Sequence, residues 1–137
     1  MIPTQLRIVL VTPETTLIDE PVEALRFPLL DGQIGILPGR APLVGRLGYG
    51  ELRITTGAGK RSYFVDGGFV QVKGEVVSLL TNRAQPASTL DVKQAEDDLQ
   101  VAQQRNPRTE VEFAAKATEL QRARRKLAMA LHPPRPA

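Results

Sequence analysis

The spacing of apolar residues changes once along this chain, and that change limits what the chain can fold into. Up to about Thr81 they alternate, as Leu6, Ile8 and Leu10 do in the first run, Leu52 and Ile54 in GELRITT, and Val70 and Val72 in FVQV. A period of two turns one face of a strand inward. Beyond NRAQPAST (82–89) the spacing becomes three and four. It runs through Ala95, Leu99 and Ala102, then through Phe113, Ala117, Leu120, Leu127 and Leu131, with Arg124 in the missing place. The chain reads as an all-β unit followed by helices.

Turn chemistry separates the strands: GAGK (57–60) and KG (73–74) supply the positive backbone angles of tight hairpins. Eight or more short runs in about 80 residues can bury a core only as a sandwich or a flattened barrel. The expected division is 1–86 for the β domain and 87–137 for the helices. Helices are expected over 89–104 and 109–131. Thr109 stands three residues before Glu112, the spacing of a capping box. RNPR (105–108) is too short for anything but an antiparallel hairpin, and Pro133, Pro134 and Pro136 end the second helix. Both stripes are expected to face inward, and the alanines on them offer little area. The hairpin would then be held only modestly.

The net charge of +3 is small, but its distribution is uneven. Residues 87–104 carry Lys93 against Asp91, Glu96, Asp97 and Asp98, whereas residues 105–137 carry eight basic against three acidic side chains. An acidic first helix facing a basic second one would add weak, salt-sensitive attraction. The cluster Arg122, Arg124, Arg125 and Lys126 is the strongest chemical feature. It reads either as a solvated face complementing its helix C-terminus or as a docking surface for an acidic partner. Nucleic acid fits less well, because no aromatic side chains accompany the cluster for stacking.

Catalytic groups are scarce. Cysteine is absent, the single histidine is His132, and Ser62, Ser78 and Ser88 have no internal histidine to activate them. GAGKRS lacks a phosphate loop's first glycine, where Ile54 stands, and has Arg61 where a hydroxyl should follow the lysine. Asp97 and Asp98 diverge by about 100° on a helix, which favours solvent over metal. No catalytic residue, metal or cofactor is expected. No apolar run approaches the roughly 20 residues of a membrane span, and the N-terminus does not read as a signal or transit peptide. The chain is therefore expected to stay in the compartment where it is made.

The segment DGQIGILPGRAPLV (31–44) holds three glycines and two prolines among apolar residues, with no nucleophile and no metal ligand. Gly32, Gly35 and Gly39 are expected to let the backbone turn, Pro38 and Pro42 to stiffen the turns, and Ile34, Ile36 and Leu37 to anchor the segment. What stays exposed would be a rigid, shaped edge.

DGQIGILPGRAPLVGRLGYGELRI, YFVDGGFVQVKGEVVSLLT and the alanine-rich hairpin, in that order, resemble the epsilon subunit of the bacterial F-type ATP synthase, equivalent to the mitochondrial delta subunit. The resemblance spans about Leu6 to Leu131. It implies a ten-stranded β-sandwich, a C-terminal two-helix hairpin and a non-catalytic rotor role, bound to the gamma subunit and to the membrane ring of c subunits. The implied location is peripheral, on the cytoplasmic face of the bacterial inner membrane. Asp31, Gln33, Arg40 and Leu43 fall on the segment that meets the ring or gamma. Many relatives carry glutamate at Gln33 and histidine at Arg40.

In bacterial relatives the hairpin can fold against the sandwich or extend along gamma, where it restrains ATP hydrolysis through basic residues near an acidic segment of the beta subunit. Arg122, Arg124, Arg125 and Lys126 match that role. Some relatives also bind ATP on the folded hairpin. LDVKQA keeps Leu90, Asp91 and Ala95 of that motif but has Gln94 for its arginine, while Arg122 fits a second position and Lys126 a third conservatively. The lost guanidinium implies weak or absent ATP binding. The alternative from another class is a stand-alone β-sandwich module whose basic hairpin binds an acidic protein or RNA.

Overall fold

The computed structural model describes residues 5–39 and 42–131. Eight strands come first: β1 Leu6–Val11, β2 Thr16–Val22, β3 Ala24–Leu29, β4 Gly32–Ile36, β5 Leu43–Thr56, β6 Gly59–Lys73, β7 Val76–Leu80 and β8 Ala84–Pro86. A 3-10 turn, Ala87–Thr89, leads to helix α1, Val92–Gln103, and helix α2, Glu110–Leu131. One hydrogen-bonded sheet runs in the order β2-β1-β7-β6-β5-β3-β4, with β8 added to β6. It curls on itself so that β1 to β7 all contribute to one core, including Phe27, Leu52, Ile54 and Leu79, each fully buried.

The curl happens inside β5 and β6. In β5 the inward positions are odd up to Leu47 and even from Gly50 through Leu52 and Ile54; in β6 they change from Val65 to Val70 and Val72. The change of phase falls at Gly48 and at Gly67–Gly68, where a strand can kink without a side chain in the way. Gly67 (φ 71°) and Gly68 (φ 121°) have the positive angles that favour glycine. At Gly68 a Cβ would also overlap the Leu80 carbonyl oxygen and lie 2.8 Å from Thr81 Cα. The strands cross this corner without breaking, so the described residues form eight strands and not the ten that the resemblance implied.

Thr81, the buried polar side chain beside that corner, is satisfied. Its Oγ1 accepts from the Asp66 N–H (3.2 Å) and donates to the Arg83 carbonyl (3.0 Å). The GAGK glycines make the β5–β6 hairpin, in which Thr56 pairs with Gly59, and Gly74 (φ 60°) turns β6 into β7.

The hairpin forms from the signals the sequence carries. Asp91 caps α1, accepting from the Lys93 N–H (2.9 Å) and the Gln94 N–H (3.4 Å). At α2 the Glu112 N–H donates to Thr109 Oγ1 (3.1 Å) and the Thr109 N–H to Glu112 Oε2 (3.3 Å), a complete capping box. Lys116 Nζ donates to the Gln103 and Arg105 carbonyls, closing the end of α1.

Two helical expectations fail. The stripe from Phe113 to Leu131 is not the inner face of α2: Phe113 is 59% exposed, Ala117 and Leu131 are exposed, and Leu120 and Leu127 are only half-buried. The fully buried residue is Ala123, and Lys116, Glu119, Arg122 and Lys126 are half-buried on its side. Because α2 faces both α1 and the sandwich, close approach favours alanine and long stems that carry their charge outward. Nor do the acidic residues of α1 pair with the basic ones of α2. The ion pair between the two arms is Arg105–Glu119 at 3.3 Å, of opposite polarity.

Candidate functional site

Within segment 31–44, residues 31–39 are less a loop than a strand between two turns. Leu30 and Asp31 close a tight turn, Gly32–Ile36 pairs with β3 alone, and β4 is thus an edge. Asp31 and Gln33 are exposed, and Leu43 is half-buried against the core. Arg40 lies outside the described residues, as does His132. Ile36 is buried and Ile34 packs on the core, but Leu37 is 65% exposed and anchors nothing. Gly32 (φ 135°) and Gly39 (φ 88°) have positive angles, whereas Gly35 sits in regular strand opposite Arg26.

The outward faces of β5, β6, β7 and β1 carry a second feature, which alternation alone did not flag. Phe69 pairs with Leu80 and Leu80 with Val11, so one row of apolar side chains crosses three strands. Phe69 is 57% and Leu80 54% exposed; Val44, on the next row, is exposed as well. Together they form an exposed apolar patch on the sheet, the kind of surface by which interaction sites are recognised. The sequence signal was there in hindsight: the polar half of the alternation in FVQV and VVSLL is partly apolar.

The hairpin lies folded against the sandwich, and the basic cluster does much of the touching. Arg122, Arg125 and Lys126 are three and four residues apart and so share one face of α2. The guanidinium carbon of Arg122 is 5.0 Å from the centre of the Tyr49 ring, and its Nε is 2.7 Å from Asp66 Oδ1. The N–H does not point along that contact, so it is an ion pair without an aligned hydrogen bond. Arg125 Nη1 donates to the Tyr49 carbonyl at 2.6 Å, and Lys126 Nζ stands 5.8 Å from the Phe64 ring centre. Arg124 points away and is exposed.

Between hairpin and sandwich is a cavity of about 670 Å³, lined by Asp66, Asp98, Glu119, Arg122 and Lys126 among others. Asp91 is not part of its lining; its carboxylate is spent on capping α1, and Gln94 bonds Asp98 at 3.0 Å. A smaller cleft is lined by Gln33, Tyr49, Arg125 and Met129 among others. Among the described residues no three His, Cys, Asp or Glu side chains gather as a metal site.

The chain as a whole is similar to known proteins. Residues 5–87 match the family model of the β-sandwich domain of the ATP synthase delta/epsilon chain. An ATP synthase epsilon chain from Rhodopirellula baltica is 43% identical over 89% of this chain and 95% of its own length. One from Solibacter usitatus is 36% identical over 93% and 97%. Among solved structures, a chain of the Euglena gracilis mitochondrial ATP synthase, OSCP/F1/c-ring, superposes with a TM-score of 0.85 at 27% identity, covering 96% of this chain and 84% of that one. A chain of the Tetrahymena thermophila central stalk and c-ring shares the fold, with a TM-score of 0.75 at 13% identity. With its family model matched over the whole sandwich and its relatives over nearly the whole length, this chain belongs to the family of ATP synthase delta/epsilon chains, accessory rather than catalytic subunits of that enzyme.

Proposed function

We propose that the protein is a rotor subunit of an F-type ATP synthase, in which the sandwich joins gamma to the c-subunit ring and the hairpin restrains ATP hydrolysis. The apolar row Val11–Leu80–Phe69 carries this reading, because it is a ready docking face that the chain itself leaves uncovered. The edge strand with Asp31 and Gln33 supplies polar contacts to the ring, and Arg40 and Leu43, further along the sequence, belong to the same proposed contact. Solved chains of the same fold come from an ATP synthase OSCP/F1/c-ring assembly and from a central stalk and c-ring, and no described helix is long and apolar enough to cross a membrane. A peripheral place on the cytoplasmic face of the bacterial membrane suits both.

The hairpin role is supported by two features. The basic cluster gives steering and moderate, salt-dependent affinity toward an acidic segment of the beta subunit. The stripe Phe113–Ala117–Leu120 is largely exposed and offers an apolar face to a partner. The weak ATP site considered above (Asp91, Arg122, Lys126) stays secondary, since Asp91 does not border the cavity that Arg122 and Lys126 line.

Reconstitution of the enzyme with a subunit ending after residue 87 tests the division of labour. ATP hydrolysis should rise while gamma binding is retained; a truncated subunit that no longer binds gamma would refute it. Phe69→Glu should do the reverse and abolish incorporation.

A further inference from the structure

Tyr49 and Asp66 stand directly opposite each other on β5 and β6. One offers a ring face and a carbonyl, the other a carboxylate, and both meet α2. Arg122 takes the ring and the carboxylate, while Arg125 takes the carbonyl. A planar guanidinium can stack and pair at once, which an ammonium cannot. From this geometry we propose that the Tyr49–Asp66 pair is a latch: it holds Arg122 in the folded hairpin and competes for that guanidinium with any acidic partner. The competition rests on the docking reading above; the latch itself is internal to the chain.

The competition follows from occupancy. Three of the four clustered cations already touch the sandwich while the hairpin is folded, and of these Arg122 is the one already paired with a carboxylate. Asp66 works as an internal stand-in for the partner's acids. Its side chain is 16% exposed, against 41% for Arg122, and its Oδ1 has no aligned donor. Neutralising Arg122 alone therefore leaves a covered, uncompensated carboxylate, and lifting the hairpin gives it back to water. Neutralising Asp66 at the same time removes that penalty. The two substitutions must be non-additive.

Hydrogen exchange on the isolated full-length chain reads this directly. Arg122→Gln should speed exchange of the amides of 92–131 by about tenfold and Asp66→Asn by a few-fold, with the strands unchanged. The double variant should exchange more slowly than Arg122→Gln alone. Arg122→Lys, which keeps the charge and changes only a half-exposed head group, should fall between wild type and Arg122→Gln; it decides the matter if a neutral variant disturbs the strands too. Hairpin exchange that stays at the wild-type rate in all variants, or factors that simply multiply in the double, would overturn the latch. No partner is present in this measurement, so its failure leaves the docking reading intact, and failure of the truncation test leaves the latch intact.

Discussion

The sandwich and the hairpin are stabilised by different means. The sandwich buries leucine, isoleucine, valine and phenylalanine against one another in a core framed by its own hydrogen-bonded sheet. In the hairpin and its junction the buried side chains of the helices are alanines, Ala95, Ala102 and Ala123, and charged groups on both sides make several of the contacts around them. Apolar burial is indifferent to salt and slow to exchange, whereas half-exposed ion pairs contribute little each and are screened. One part is built to persist and the other to let go.

Four substitutions test that contrast. Gly68→Ala should be the most damaging, because a Cβ there strikes the Leu80 backbone at a φ reserved for glycine; about 4 kcal/mol or more should be lost in denaturant unfolding. A mild effect would mean that the corner is not rigid. Leu52→Ala, in the centre of the core, should cost about 3 kcal/mol and lower the melting of strands and helices together. Ala102→Leu should cost about 2 kcal/mol by overpacking, but only the helices should loosen. Loss of strand signal in that variant would erase the distinction between the two parts. Smallest is Thr109→Ala, which removes one half of the capping box for about 1 kcal/mol, visible as fraying at the start of α2 in amide shifts.

Much of this was legible in the sequence, and the failures have physical causes. Strand alternation, the hairpin turns, the capping box and the antiparallel helices are local, and local chemistry decides them. The count of ten strands came from the resemblance, whereas β5 and β6 change phase at glycines without ending, which no period-two reading can distinguish from a break. The inner face of α2 was misjudged because hydrophobicity locates an apolar stripe but not what covers it; here the chain leaves Phe113 and Leu131 in water and packs Ala123 instead. Arg124 drew attention because it interrupts that stripe, yet it is Arg122, beside Asp66 and Tyr49, that the fold employs. That meeting depends on register between residues 56 and 73 positions apart.

The glycine corner has a last consequence, best counted in covalent bonds. Phe69, on the outward apolar row, and Asp66, under the hairpin, are separated along one strand by Gly67 and Gly68 alone. Both glycines hold backbone angles that other residues rarely adopt, so neither can be replaced by a stiffer or looser unit without changing where the next side chain points. Whatever seats itself on Phe69 thus shares a two-residue joint with the carboxylate that grips α2. From Cα to Cα the route between them is nine backbone bonds long, and the glycine torsions lie in the middle of it.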